Sequence, residues 1–217
     1  MEEIIPELRG IGGATTDIKL AVLSFSDGCK WLTETPISID EYQYWTRLKA
    51  EGLTDMGEAF QELSSKLSRK EFLKSPSLSY APVIFLLSDG AATDDVRSGL
   101  KVLKNNKWYK YGMKISLGIG EHYDREILEE FTGNIELVFE AKTAEQLSRI
   151  IKTIAVTSSQ IGSKSVTLVN DDNLKDRTEE DVMGDKEKRL IEEINKSWED
   201  QDDGPVDEFD VDDGWDN

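Results

Sequence analysis

Basic residues, cysteine and histidine are scarce in this chain of 217 residues, and each scarcity removes a class of function. Lys and Arg number 26 against 44 Asp and Glu, a formal charge of −18. A nucleic-acid backbone is bound by a basic surface that displaces counterions, and an anionic membrane attracts the same kind of surface; neither partner is expected. The single cysteine, Cys29, has no second thiol to bridge to, and with one histidine, His122, a His-rich zinc centre or a Cys/His dyad has little to work with. His122, in GEHYDRE, reads as a solvated loop residue. No apolar run approaches the roughly 18 to 20 residues that span a bilayer. The opening MEEIIPELRG is acidic and short, unlike a secretion signal. These absences place the protein in a reducing cytoplasm.

What is present is unevenly distributed. Residues 171–217 carry 20 Asp and Glu against 6 Lys and Arg, so the tail holds the acid and the body is nearly neutral. In the body, apolar runs alternate with amphipathic stretches. KLAVLSF (19–25), VIFLL (83–87), KISLGIG (114–120) and IELVF (135–139) read as strands, the first two apolar enough to be covered on both faces. DMGEAFQELSSKL spaces Met56, Phe60, Leu63 and Leu67 as one helical stripe, with Asp55 in its first turn. DDVRSGLKVLKNN does the same with Val96, Leu100 and Leu103, with Thr93 as N-cap and Asp94 and Asp95 as first-turn acids. Residues 124–131 and 143–156 complete the helices, and a short edge strand is expected near Tyr42 to Trp45. Strands and helices alternating at these lengths predict an α/β fold, a doubly wound, mostly parallel sheet with helices on both faces.

After residue 158 the pattern ends. Residues 159–186 read as a linker, 187–198 as a short helix through Leu190, Ile191 and Ile194, and 199–217 as a disordered acidic tail with ten carboxylates and no basic residue. Trp198, Phe209 and Trp215 stand among those carboxylates, a composition suited either to solubilising or to docking on a basic, apolar groove.

Ligands of an open parallel sheet bind beyond the carboxyl ends of its strands. Asp89 stands there, directly after VIFLLS and before Gly90; Thr54, in LTDMG, precedes a helix and offers a hydroxyl. A carboxylate and a hydroxyl from separate turns suit a hard cation such as magnesium. The same residues also serve as ordinary caps of a turn and a helix, and composition does not choose between these readings. GIGG (10–13) and GIGE (118–121) lack the spacing of a dinucleotide or phosphate loop.

Taken in order, KLAVLSFSDGCKWLT, EGLTDMGEAF, VIFLLSDGAATDD and KISLGIGEHYDREILEEFTGN resemble successive segments of a von Willebrand factor A domain, closest to the bacterial branch associated with tellurium-resistance operons. The resemblance covers roughly residues 1–156 and implies a metal-ion-dependent adhesion site. In that site a threonine before a helix and an aspartate after a core strand hold a divalent ion; the matching positions are Thr54 and Asp89. A partner's acidic side chain fills the remaining position, so the resemblance implies binding rather than catalysis. It also implies, as operon neighbours, a protein phosphatase and a protein kinase.

One departure from the resemblance is large. The family's Asp-x-Ser-x-Ser motif, at the end of a first central strand, has no counterpart, and MEEIIPELRG matches the end of the helix that follows it. Ser24 and Ser26 follow the second strand and lack the preceding aspartate. The expectation is a truncated or mis-started chain with a gap beside VIFLL, where the flanking strands either close up against each other or receive a strand from another chain. The function expected is an interaction module, not an enzyme, with a degraded adhesion site. The alternative is a magnesium-dependent phosphoryl-transfer or hydrolytic enzyme using Asp89, although the nucleophilic-aspartate pattern wants a second Asp where Ala91 stands.

Overall fold

The computed structural model describes residues 9, 18–42, 52–74, 82–143, 145–155, 157, 184–185, 187–193 and 195. Along the chain these form β1 (Lys19–Leu20), β2 (Leu23–Ser26), β3 (Gly28–Trp31), β4 (Ile37–Ser38), α1 (Met56–Lys66), β5 (Val83–Ser88), α2 (Val96–Lys104), α3 (Lys107–Tyr111), β6 (Met113–Ile119), α4 (Arg125–Thr132), a 3-10 turn (Ile135–Leu137) and β7 (Val138–Ala141). Residues 145–155 (α5) and 187–193 (α6) are helical as well.

The centre is a parallel sheet in the order β5-β6-β7, with Val83 opposite Met113 and Ser116 opposite Val138. Alternate residues of its strands supply two separate cores, as the two-residue period of a strand requires. On the first face Ile84 and Leu86 pack with Met56 and Phe60 of α1, Leu100 and Leu103 of α2, Tyr109 of α3 and Phe131 of α4. Phe60 and Phe131 stack at 5.5 Å, and the Tyr109 hydroxyl donates to the Phe131 carbonyl. On the second face Met113, Ile115 and Leu117 meet Ile150 and Ile154 of α5 and Leu190 of α6. Helices therefore cover both faces, and the predicted doubly wound α/β architecture is present.

Several local expectations are corrected. The strand expected over 19–25 is two strands, because the Val22 N–H goes to the Thr33 hydroxyl at 3.0 Å and its carbonyl accepts from Leu32. β1 pairs with β4 and β2 with β3, two antiparallel hairpin ladders that the apolar pattern did not announce. Their strands contain no fully buried residue, so the first predicted strand is not covered on both faces. VIFLL is not covered on both faces either: Val83 and Phe85 are each 37% exposed while Ile84 and Leu86 are buried. Of IELVF, residues 135–137 form a 3-10 turn, initiated where the Asn134 side chain accepts from the Glu136 N–H. Tyr42 is buried outside any strand, and residues 43–45 of the expected edge strand lie outside the described residues.

Helix starts follow side-chain chemistry more closely than apolar periodicity. Asp95, not Thr93, is the N-cap of α2, its carboxylate accepting from Ser98 at 3.2 Å. Asp55 is likewise the residue before α1, and Asp124 the one before α4, accepting from Ile127. Asn106 was unforeseen. Its amide donates to the carbonyls of Ser64 and Leu67 at the end of α1, while its oxygen accepts from Trp108 and Tyr109 at the start of α3. One side chain thus satisfies orphan groups of two helices.

The helices α1 and α2 approach at two glycines. A Cβ on Gly99 would sit 2.7 Å from the Cα and carbonyl carbon of Gly57, closer than carbon atoms tolerate. This approach delivers the start of α1 and the loop before α2 to the same end of the sheet.

Candidate functional site

At the carboxyl end of β5 the chain turns sharply, with the Ser88 hydroxyl donating to the Gly90 carbonyl at 2.8 Å. The strand's buried portion ends at Ser88, and Asp89 is exposed. No desolvated carboxylate therefore has to be accommodated there. Thr54 lies across from this turn: a Cβ added to Gly90 would be 3.2 Å from the Thr54 Oγ1. The turn that carries Asp89 and the segment that carries Thr54 are thus brought together, the absence of a side chain at Gly90 leaving room for the hydroxyl.

A network of hydrogen bonds fixes that arrangement. Thr54 and Thr93 are tied in both directions, the Thr54 N–H donating to the Thr93 Oγ1 at 2.9 Å and the Thr93 N–H to the Thr54 carbonyl at 3.0 Å. The Thr93 hydroxyl donates to Asp55, whose other oxygen accepts from the Gly28 N–H at 2.7 Å. Asp94 reaches back to α1 and accepts from the Gly57 and Glu58 N–H groups at 2.9 and 2.8 Å. It therefore caps a helix nearly 40 residues upstream instead of its own, where the dipole and the orphan N–H groups both favour a carboxylate. Asp27 accepts from the Leu53 N–H at 2.8 Å. Three segments, 26–28, 52–58 and 88–95, are joined by these contacts.

The Thr54 hydroxyl and the Asp89 carboxylate stand apart from this network. Among the described residues neither the Thr54 hydroxyl nor the Asp89 carboxylate has a hydrogen-bond partner, whereas Asp27, Asp55, Thr93 and Asp94 are all engaged in positioning backbone. Sequence reasoning missed the positioning residues Thr93 and Asp94, since a cap that serves another helix leaves no local pattern. None of Asp27, Asp55, Glu58, Asp89, Asp94 and Asp95 is ion-paired among the described residues, so this end of the sheet is acidic and uncompensated.

Cys29 borders the same region. Its thiol donates toward Glu58 at 3.7 Å, and its pKa is pushed up to about 11 by partial burial, with the Glu58 charge adding to the effect. His122 is exposed in another loop. For a divalent cation the described residues offer a hydroxyl and a carboxylate, and among them no group of three or more His, Cys, Asp or Glu side chains is arranged to hold a metal ion. Two oxygen donors fit a hard cation in part, leaving water to complete its shell.

The architecture is that of a doubly wound α/β fold of the von Willebrand factor A and Rossmann-like kind. A structure of proximal thread matrix protein 1 from the mussel byssus is similar with a TM-score of 0.51 and 16% identity, over 72% of this chain and 40% of that one. Another structure of the same mussel protein, described as having a zinc-occupied MIDAS motif, matches with a TM-score of 0.50 and 16% identity over 73% and 40% of the two chains. A von Willebrand factor type A protein from Catenulispora acidiphila matches at a TM-score of 0.49 and 16% identity, over 73% and 37%. The chain spans about two fifths of the length of these solved structures. No family model matches it, and no curated protein does. No helix among the described residues is long and apolar enough to cross a membrane.

Proposed function

We propose that this protein is an interaction module whose contact face is the acidic carboxyl end of the parallel sheet, with Thr54 and Asp89 holding a divalent cation, magnesium first among them. The reading rests on one observation: the Thr54 hydroxyl lies against Gly90, in the turn that carries Asp89, and neither that hydroxyl nor the Asp89 carboxylate has a hydrogen-bond partner among the described residues. The cation would supply a positive centre to which a partner's acidic side chain adds the missing oxygen. With two protein donors, affinity would be low until the partner is present. Leu53, 58% exposed beside Thr54, would give that partner an apolar contact.

The proposal extends, through the resemblance of the segments, to a cytoplasmic stress-response system of the tellurium-resistance kind. A protein phosphatase and a protein kinase are its proposed partners. Binding is favoured over catalysis because no acid or base among the described residues is hydrogen-bonded to Asp89: Ala91 stands where a second aspartate would act, Asp94 is committed to capping α1, and His122 is in a different loop. Calorimetric titration with magnesium tests the site. Binding weaker than micromolar is expected, and Thr54→Ala or Asp89→Asn should weaken it by about tenfold, one ligand's share. Micromolar binding indifferent to both substitutions would refute it. Magnesium-dependent hydrolysis of a phosphate ester, lost in Asp89→Asn, would replace the interaction reading with a phosphoryl-transfer one.

A further inference from the structure

Basic side chains gather at the end of the sheet opposite Asp89. α3 stops one residue before β6 begins, with Gly112 between them, so it lies at the amino end of the parallel strands. Its sequence, KWYKY, interleaves charge with aromatic rings. The segment after α1 is held against it. Asn106 donates to the carbonyls of Ser64 and Leu67, and the Arg69 guanidinium lies over the Trp108 ring at 5.8 Å. Lys107 stands over the Tyr111 ring at 5.7 Å. Lys70 follows Arg69 in the chain, and Lys110 is one helical turn from Lys107. These four cations are exposed around two half-buried rings, and none of them is ion-paired among the described residues.

Such a face is out of keeping with a chain whose formal charge is −18, and its chemistry calls for an anion. A guanidinium stacked on an indole keeps its N–H edge free for a carboxylate. The chain itself contains the complement. Residues 199–217, outside the described residues, hold ten carboxylates and no basic residue, with Phe209 and Trp215 among them. The helix that leads to them, α6, begins near α3. The Asn134 amide lies 3.5 Å from the Glu187 carboxylate, and Lys114, its pKa lowered by burial and held up in part by the Glu187 charge, donates to the Gly112 carbonyl at 2.9 Å. Beyond residue 195 the remaining chain spans up to about 70 Å when extended, ample to reach α3. At the carboxyl end of the sheet the same segment meets Asp27, Asp55, Glu58, Asp89 and Asp94, none of them ion-paired among the described residues. Charge therefore selects the α3 end.

We propose that the acidic segment 199–217 docks, within the same molecule, on the face formed by Arg69, Lys70, Lys107 and Lys110, with Phe209 and Trp215 against the rings of Trp108 and Tyr111. Tethering raises the effective concentration of the segment to about the millimolar range, so contacts that are individually weak suffice to hold it. The docked segment covers the face against other anions. A partner's acidic segment gains access only by displacing it. This proposal does not depend on a cation at Thr54 and Asp89, which lie at the other end of the sheet.

The test compares NMR shifts of the full chain with those of a full-length variant neutralised in the tail by Asp207→Asn, Glu208→Gln, Asp210→Asn, Asp212→Asn and Asp213→Asn. The Trp108 indole and the amides of residues 69–70 and 107–111 should differ between the two. In 1 M salt, where the screening length is about 3 Å, the parent should come to resemble the variant. A synthetic peptide of residues 199–217 added to the variant should restore the parental shifts. Lys107→Glu combined with Lys110→Glu should weaken that binding at least about tenfold. Identical shifts in parent and variant, or peptide binding indifferent to Lys107 and Lys110, would overturn the proposal. Parental shifts that grow with protein concentration would overturn it in favour of a tail from a second copy. A single-stranded oligonucleotide that binds the variant at these amides more tightly than the peptide would overturn it in favour of a nucleic-acid face. If magnesium binding fails and the tail docks, only the cation reading falls.

Discussion

Replacing Gly99 by alanine places a methyl group where α2 crosses α1. Two effects of opposite sign compete there. Alanine is favoured over glycine inside a helix by about 1 kcal/mol. Against this, the new Cβ would lie 2.7 Å from the Gly57 Cα and carbonyl carbon, where carbon atoms settle at about 3.5 to 4.0 Å. The obstructing atoms are backbone, so no rotamer change relieves the clash, and the helices must separate by about 1 Å. Separation loosens Met56, Phe60, Leu100 and Leu103, all buried in one core. Overpacking of this kind costs about 3 kcal/mol, which leaves a net loss near 2 kcal/mol after the helical gain. For a chain of this size that corresponds to a Tm lower by about 4 to 8 °C. Thermal and urea unfolding followed by circular dichroism measure it. Gly184→Ala is the control, since nothing lies within 4 Å of its added Cβ, and it should be neutral or slightly stabilising. Gly57→Ala meets the Asp95 carbonyl at 2.7 Å and should cost a similar amount, and the double variant less than the sum, because one separation relieves both. A Gly99→Ala protein as stable as its parent would refute the close approach on which the placement of Thr54 against the turn after β5 depends.

Asn106 separates into two roles by substitution. Asn106→Ala should cost about 2 kcal/mol by freeing the ends of two helices, whereas Asn106→Asp retains the cap of α3, loses donation to Ser64 and Leu67, and should fall between alanine and the parent in urea unfolding; equality of all three would contradict the double cap. Cys29 gives a pH-dependent signature. Partial burial and the Glu58 charge push its pKa up to about 11 from an ordinary thiol value of 9.0, so the folded chain holds the proton longer, and the stability this contributes is full below about 9 and declines between 9 and 11. Alkylation by iodoacetamide should accelerate through about pH 11, and Glu58→Gln should move that rise toward 9.0; an unchanged profile in the variant would show that Glu58 plays no part.

The sheet was legible because β5 and β6 are long apolar runs punctuated by glycine, and the helices because Met56, Phe60, Leu100 and Leu103 recur at helical spacing. Thr54 and Asp89 were legible as turn residues at the ends where ligands of such a sheet bind. What failed to show was long-range polar pairing. Asp94 caps α1 from another loop, and Thr33 takes the N–H of Val22 out of the ladder; both are local-looking residues whose partners are fixed only by the folded chain. The hairpins of β1 to β4 were obscured because their residues are half-buried and mixed in polarity, which weakens the two-residue alternation that reveals a strand. IELVF misled for a different reason: its apolar residues read as one run, and the Asn134 side chain turns the first three residues into a 3-10 step.

The acid that follows β5 is now two problems instead of one. Asp89 is exposed, and its carboxylate has no hydrogen-bond partner among the described residues. Asp94, five residues on, is committed: its two oxygens hold the first N–H groups of α1, and removing it would leave those groups without a partner. The difference follows from geometry, not composition, since both are aspartates in one short loop. The strand beside them shows the same division. Ile84 and Leu86 are buried in the core, while Val83 and Phe85 on the other face are each 37% exposed. In both cases neighbouring residues of like chemistry are divided by the direction in which the backbone turns them, toward a partner inside the fold or away from one.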